Sequence, residues 1–373
     1  MGCAVAHALA RRGVDVVLLE AEPGLALGAS GANSGILHTG FDSAPGELET
    51  RLILRAASLR EELLEELGVE VWRCGARMQP QDAAERVAVE KLAANARVNG
   101  VEAHLAGDGC LTVPGESVTD PVAFVQALAG AAQAGGAQVL LGARVEGIEG
   151  RADGVELALG GGERLLAGTA VNCAGLFADE VAAMAGDELV GVYPRKGEFL
   201  VFAQPQGTRL REILLPVPSA LGKGVLVFPT LDGHVIAGPT AREREDKRDW
   251  SVEGDASEAI LPKARLMYPA LAGAEPAGAY AGLRPAGRDA NYVIERSRAT
   301  PRMIHVAAIR STGLSASLGI GEHVAGMLAE AGIVAPAQPQ PLKAPGPPAA
   351  PSAWWERAAA HHRGSADPLQ AQP

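Results

Sequence analysis

Gly2-Cys-Ala-Val-Ala-His-Ala-Leu-Ala-Arg-Arg-Gly13, followed at once by Val14-Asp-Val-Val-Leu-Leu-Glu20, decides the fold. The first run is Ala-rich and closed by a glycine, which predicts a helix over 2–12; the second is an apolar strand, 14–20, ending in an acid. That succession is the second half of a dinucleotide-binding fingerprint. The free N–H groups and the dipole at the start of such a helix attract phosphate. Glu20 stands 18 residues after Gly2, a spacing that suits an acid accepting hydrogen bonds from a ribose. The first strand and the first two glycines of G-x-G-x-x-G are missing, so Met1 stands inside the motif. An ordinary βα unit ending in a solvated acid would leave the same trace.

The 373-residue chain has room for two domains, or for one large domain with an insertion. Its apolar content of 47% is ample for a core, and its wealth of Ala and Gly suits helices packed closely on sheets. A net charge of −11 argues against nonspecific nucleic-acid binding, which needs a basic face, but leaves room for a local basic pocket and an anionic substrate. Cys3, Cys74, Cys110 and Cys173 have neither metal-site spacing nor the density of a disulfide framework, so no metal is expected and a reducing cytosol is the default. No apolar run reaches the length of a membrane span; peripheral membrane contact stays open.

Downstream, the pattern predicts a Gly/Ser/Asn-rich loop over 24–46, an amphipathic helix over 46–67, a strand over 69–78 and a helix over 81–99 stopped by Gly100. Thr119-Asp-Pro121 starts a helix that runs to about 134. Short strands follow at 139–141 and 145–148. Ala170-Val-Asn-Cys-Ala-Gly175 is a buried strand breaking into a turn, and 176–185 reads as a helix. From 189 to about 250, strands at 199–203, 225–228 and 235–238 separated by Pro and Gly suggest an inserted antiparallel sheet. A buried strand at 302–309 returns, followed by small residues leading to a helix over 320–331. The Pro/Ala/Gln-rich tail, 335–373, is expected to be disordered, with Trp354-Trp355 loosely docked or without a role, an interfacial anchor being the alternative.

Four segments carry candidate chemistry. Besides the opening helix and Glu20, the loop Gly28-Ala-Ser-Gly-Ala-Asn-Ser-Gly-Ile-Leu-His-Thr-Gly40 can follow a pyrophosphate or a flat ring closely. Its one titratable group, His38, could accept a hydroxyl proton, or simply bond the backbone. Arg284, in Ala281-Gly-Leu-Arg-Pro-Ala286, offers a fork for a carboxylate or phosphate, or is a surface residue beside a turn. Ser311-Thr-Gly-Leu-Ser-Ala-Ser-Leu-Gly-Ile-Gly321 could present helix-start N–H groups to a ligand, or serve close packing.

In this order, over roughly residues 2–332, the segments resemble the FAD-dependent oxidoreductases of the D-amino-acid-oxidase-like superfamily, in particular its bacterial glycerol-3-phosphate dehydrogenases. The resemblance rests on Asn33-Ser-Gly-Ile-Leu-His-Thr-Gly40, Asn172-Cys-Ala-Gly-Leu-Phe-Ala-Asp179, Pro194-Arg-Lys-Gly-Glu-Phe199, Pro216-Val-Pro-Ser-Ala-Leu-Gly-Lys-Gly224, Gly238-Pro-Thr240 and Ala281-Gly-Leu-Arg-Pro285. L-2-hydroxyglutarate oxidases share the Asn-Ser-Gly…His loop. The resemblance implies an α/β fold: a Rossmann-like FAD-binding domain lacking its first strand (1–68, 119–188 and 292–334) with an inserted antiparallel-sheet substrate domain (69–118 and 189–291). It implies FAD held by Gly2, Glu20, Ser34, Val145, Ala174, Gly175, Gly313, Leu314 and Ser315. His38 becomes the base, Arg284 the substrate anchor and Lys196 a further pocket residue, or a solvated strand-end lysine. The implied reaction is hydride transfer from a small anionic hydroxylated substrate, sn-glycerol 3-phosphate, to flavin. An L-2-hydroxyglutarate (2-hydroxy acid) enzyme, an amine or amino-acid oxidase, and a non-catalytic remnant that no longer holds FAD are the alternatives. Quinone, oxygen and a protein partner all remain open as electron acceptor. Relatives commonly carry Val or Ile where Met1 stands, so an internal valine codon misread as a start is expected. A C-terminal cysteine-rich domain found in some relatives is not expected here, since the last cysteine is Cys173.

Overall fold

The computed structural model describes residues 1–205, 207–218, 224–342, 344–348 and 352–365. The stretch 219–223 of the Pro-rich run and the end of the tail, 366–373, lie outside the described residues.

The opening helix, Gly2–Ala10, is buried along nearly its whole length, as its small side chains allow. It packs against the helices Pro121–Ala134 and Gly313–Glu330. The latter also lies against the helix Leu48–Glu66. Glycines set these distances: a Cβ on Gly321 would sit 2.6 Å from the Ala4 carbonyl, and one on Gly319 would sit 2.2 Å from that of Leu52. The helix Gly313–Glu330 therefore begins seven residues before the expected 320; the small-residue stretch is helical because its glycines are contact points, not turns. Asp120 caps Pro121–Ala134 by accepting from the N–H groups of Val122 and Ala123.

Two parallel strand pairs flank the opening helix. Val17–Leu19 pairs with Gln138–Leu140, and Ala170–Asn172 with Met303–Ala307, which also pairs antiparallel with Val293–Arg296. The two pairs belong to separate sheets, and residues of both, Val17 and Val171 among them, line one cleft. A three-stranded antiparallel unit, Val145–Gly150, Val155–Leu159 and Arg164–Ala167, has two strands, the second and third, that the sequence reading did not assign.

The inserted part is a nine-stranded sheet built on Val192–Ala203, which pairs antiparallel with Gly278–Gly287 along ten registered positions. Segments from 69–118 join it: Ile213–Leu215 runs parallel to Ala76–Met78, the single parallel pairing among the described residues of an otherwise antiparallel sheet. The expected strand 69–78 is two strands, Val71–Trp72 and Ala76–Met78, in different sheets; Gly75, at φ +71°, turns the chain between them.

The tail differs most from expectation. Arg11 and Gln340 exchange two hydrogen bonds, and Leu342 N–H donates to Glu66. Trp354 and Trp355, in the helix Trp354–Ser365, are 4% and 6% exposed. Trp354 meets Tyr280 edge-on, and Trp355 lies against Gly278, where a Cβ would come within 2.6 Å of the indole. A composition too poor to form its own core has here been given a core by its neighbours.

Candidate active site

A single cleft of about 2330 Å³ runs from the start of the opening helix to the inserted sheet. Gly2, Glu20 and Val145 line one end, with Ala174 and Gly175 beside them. Ser34, His38, Gly313, Leu314 and Arg284 also stand on its wall. The scattered small-residue turns of the sequence thus converge on one groove.

The parts are held by identifiable bonds. Glu20 accepts from the Glu22 N–H, and burial pushes its carboxyl up. Asn172 sets the turn at 174–175: its Oδ1 accepts from the Ala174 N–H while its Nδ2 donates to the Ala178 carbonyl and to His305 Nδ1. His305 Nε2 in turn meets Asp187 at 2.9 Å. In the loop, Gly35 has φ +76°, and a Cβ there would lie 2.3 Å from the Thr119 carbonyl, so glycine alone permits the loop's contact with this strand end.

His38 is placed by strand register. Ile36 pairs with Val118 and Leu37 with Ser117, so the next residue, His38, falls opposite Glu116. His38 Nδ1 lies 2.8 Å from Glu116 Oε2. The other carboxylate oxygen accepts from the Thr39 N–H at 2.7 Å and the Thr39 hydroxyl at 2.8 Å. Glu116 is fully buried; burial alone would raise its pKa, yet His38 and the Thr39 donors outweigh that and hold it below the ordinary value. An ionised Glu116 accepts the Nδ1 proton and leaves Nε2 as the free acceptor, a tautomer assigned from this network. Behind the turn, buried Arg60 donates to the carbonyls of Leu37, His38 and Ser315. Burial lowers its pKa to about 10, with Glu116 opposing the shift.

Arg284 rests on the part of the wall that the inserted sheet builds. Its Nε donates to the Arg195 carbonyl at 2.9 Å, and its Nη2 to the carbonyls of Lys196 and Thr240 at 3.1 and 3.0 Å. Its pKa is lowered to about 10, by burial first and then by the charge of Arg195. Gly197 makes the room: a Cβ there would lie 2.8 Å from Arg284 Nη2.

Two expected positions change. Lys196 is not on the cleft wall. Side chains alternate along a strand, so Arg195 takes the cleft face while Lys196 turns away, fully buried, onto Asp249 at 2.8 Å, Ser251 at 3.1 Å and Glu253 at 3.4 Å. Ser315 also sits behind the wall, where its hydroxyl accepts the His38 N–H at 2.8 Å and donates to the Ile36 carbonyl. It fastens the histidine turn instead of facing the cleft. Glu116, Arg60 and Arg195 are the residues that the sequence reading missed. The only sequence signal for Glu116 is the Pro114-Gly115 turn before it, where a Cβ on Gly115 would come within 2.9 Å of Thr39.

The cleft fits an extended dinucleotide. The helix-start residues Gly2, Cys3 and Ala4 open onto it beside the carboxylate of Glu20, and Gly28 and Gly175 on its wall have open space where a Cβ would be. Residues 1–327 match the family described as "DAO: FAD dependent oxidoreductase". A glycerol 3-phosphate dehydrogenase of Caloramator mitchellensis is 29% identical over 344 residues, spanning 88% of this chain and 72% of the relative. A glycerol 3-phosphate oxidase of Mycoplasma pneumoniae is 26% identical over 347 residues, spanning 86% and 90%. An L-2-hydroxyglutarate dehydrogenase of Escherichia coli is 27% identical over 257 residues, spanning 63% and 61%. Among solved structures, an FAD-bound L-alpha-glycerophosphate oxidase of Mycoplasma pneumoniae superposes with a TM-score of 0.85 at 24% identity, covering 93% of this chain and 96% of that one. The chain belongs to the FAD-dependent oxidoreductase family and shares its Rossmann-like fold. Among the described residues, no helix is long and apolar enough to cross a membrane.

Proposed function

We propose that this FAD-dependent oxidoreductase oxidises the secondary alcohol of sn-glycerol 3-phosphate to the ketone of dihydroxyacetone phosphate. The observation that carries the reading is a base and an anion anchor on one cleft: His38, with Nε2 left free by Glu116, and Arg284, whose guanidinium meets only neutral carbonyls. Glycerol 3-phosphate relatives spanning most of the chain support the same substrate.

Gly2, Glu20, Ser34, Val145, Ala174, Gly175, Gly313 and Leu314 would hold FAD. When bound, its flavin supplies the acceptor for the hydride leaving the alcohol carbon. His38 Nε2 takes the hydroxyl proton as the carbonyl forms. Glu116 supplies the countercharge for the imidazolium and keeps the ring from turning, and Arg60 and Ser315 hold the turn's backbone still. Arg284 binds the phosphate away from the reacting carbon, so that binding energy serves orientation.

The test is anaerobic addition of glycerol 3-phosphate to the flavin-loaded protein, followed by absorbance. The reading expects flavin bleaching. Bleaching by L-2-hydroxyglutarate, but not by glycerol 3-phosphate, would replace the substrate and keep the fold and base. A full-length protein that takes up no flavin would remove the enzyme reading itself.

A further inference from the structure

Along the paired strands Val192–Ala203 and Gly278–Gly287, Arg195 stands directly opposite Arg284. Opposed residues of an antiparallel pair emerge on the same face, and both arginines line the cleft. Like charges so opposed destabilise a sheet. Even so, neither guanidinium has a carboxylate partner among the described residues.

Other cations on this wall are treated differently. Arg242 is paired with Glu198, Glu253 and Asp255, and Lys247 with Asp179 and Glu180. Arg144, Arg248, Lys263 and Arg310 make no ion pair among the described residues, but they are exposed, where water and salt screen them. Arg195 and Arg284 are the half-buried ones. Two like charges held together at the rim of a low-dielectric wall without a countercharge form a site completed by an anion.

We propose that Arg195 and Arg284 form a two-guanidinium clamp for a doubly charged headgroup, with Arg195 the specificity-determining residue that favours a phosphate monoester over a monocarboxylate. A phosphate monoester brings close to two negative charges and three acceptor oxygens, enough for the planar fork of Arg195 and the Nη1 donors of Arg284 together, whereas a carboxylate brings one charge and two oxygens. Arg284 is fixed by carbonyls on Nε and Nη2, which directs its remaining N–H groups. Arg195 makes no side-chain hydrogen bond among the described residues, so its whole fork is available to the ligand. The inference rests on the reading of Arg284 as the substrate anchor and adds the residue that counts the substrate's charge.

The test is Arg195→Met, which keeps the apolar stem and removes the fork, in the full-length, flavin-loaded protein. Inorganic phosphate is the binding probe, with chloride at equal ionic strength as reference and the thermal unfolding midpoint as readout. Phosphate is expected to raise the midpoint of the wild type and not that of the variant. Without phosphate the variant is expected to unfold no lower than the wild type, because a like-charge contact has gone. With glycerol 3-phosphate the variant's KM is expected to rise about ten- to a hundredfold, far more than kcat falls. A phosphate-induced shift and a KM both equal to those of the wild type would overturn the clamp while leaving the substrate reading intact. Conversely, a wild type that ignores glycerol 3-phosphate but loses its phosphate shift on Arg195→Met keeps the clamp and overturns the substrate.

Discussion

The two walls of the cleft handle charge in opposite ways. Around His38 every group but Nε2 is answered by the protein: Glu116 meets Nδ1 and Thr39, Arg60 takes the turn's carbonyls, and Ser315 takes its N–H. Around Arg284 the guanidinium is propped by neutral carbonyls, and Arg195 adds a second positive charge with no carboxylate partner among the described residues. A residue that must exchange a proton with the substrate works best when the protein alone sets its orientation and charge balance. An anion site gains by leaving its balance to the ligand, since the missing charge then selects what binds. The contrast divides the variants into those that should damage chemistry and those that should damage binding.

The largest expected effect is at the base. His38→Gln is expected to lower kcat by about 10²–10⁴-fold while leaving the phosphate-induced thermal shift in place. Loss of both together would mean that the two walls are not independent. Next is Arg284→Met, which is expected to cost about 2–5 kcal/mol in kcat/KM and to abolish the phosphate shift; unchanged steady-state kinetics would remove Arg284 from the anchor role. A smaller effect is expected for Glu116→Gln, about 1–3 kcal/mol in kcat/KM. An amide has a single oxygen, so it cannot accept from both His38 Nδ1 and the Thr39 donors as the carboxylate does, and it supplies no charge to an imidazolium; the pH profile of kcat/KM should change as well as its height. A variant with reduced stability but an unaltered profile would make Glu116 a structural residue only.

A last effect, on stability and not on catalysis, sharpens the contrast from outside the site. His7, in the opening helix, is buried without a partner for Nε2, and burial, helped by Arg11, holds its pKa at about 4 against an ordinary 6.5. Between pH 6.5 and 4 the unfolded chain takes up a proton that the folded chain refuses, so stability falls as pH drops through that window and levels off below it. The loss is on the order of 3 kcal/mol. Urea unfolding across this range should show a flatter pH dependence for His7→Leu; an equally steep decline would assign the acid sensitivity elsewhere. Unlike His38, this imidazole has no carboxylate bonded to it.

Legibility in the sequence followed the range of the interactions. The opening helix, Glu20 and the His38 loop announce themselves because each depends on neighbours a few residues away. Glu116 does not: it stands 78 residues from His38, and only the pairing of Ile36–Leu37 with Ser117–Thr119 brings the two together. The exchange of Lys196 for Arg195 is an error of parity. Val192–Ala203 is buried on both faces over most of its length, so its hydrophobic pattern carries no alternation to say which of two adjacent cations faces the cleft. The tail misled for a different reason. Its composition reports that it cannot build a core alone, and says nothing of the surface that Tyr280 and Gly278 offer to its tryptophans.

That docking has a mechanical consequence. The final helix grips Gly278–Gly287, the strand bearing Arg284, through its two indoles, while Arg357 reaches Asp120 at 3.3 Å, the residue that caps Pro121–Ala134. It thereby ties the inserted sheet to the scaffold around the opening helix, outside the groove. Any hinge-like widening of the groove would strain one of those fastenings, so a dozen residues away from the groove hold its two sides together.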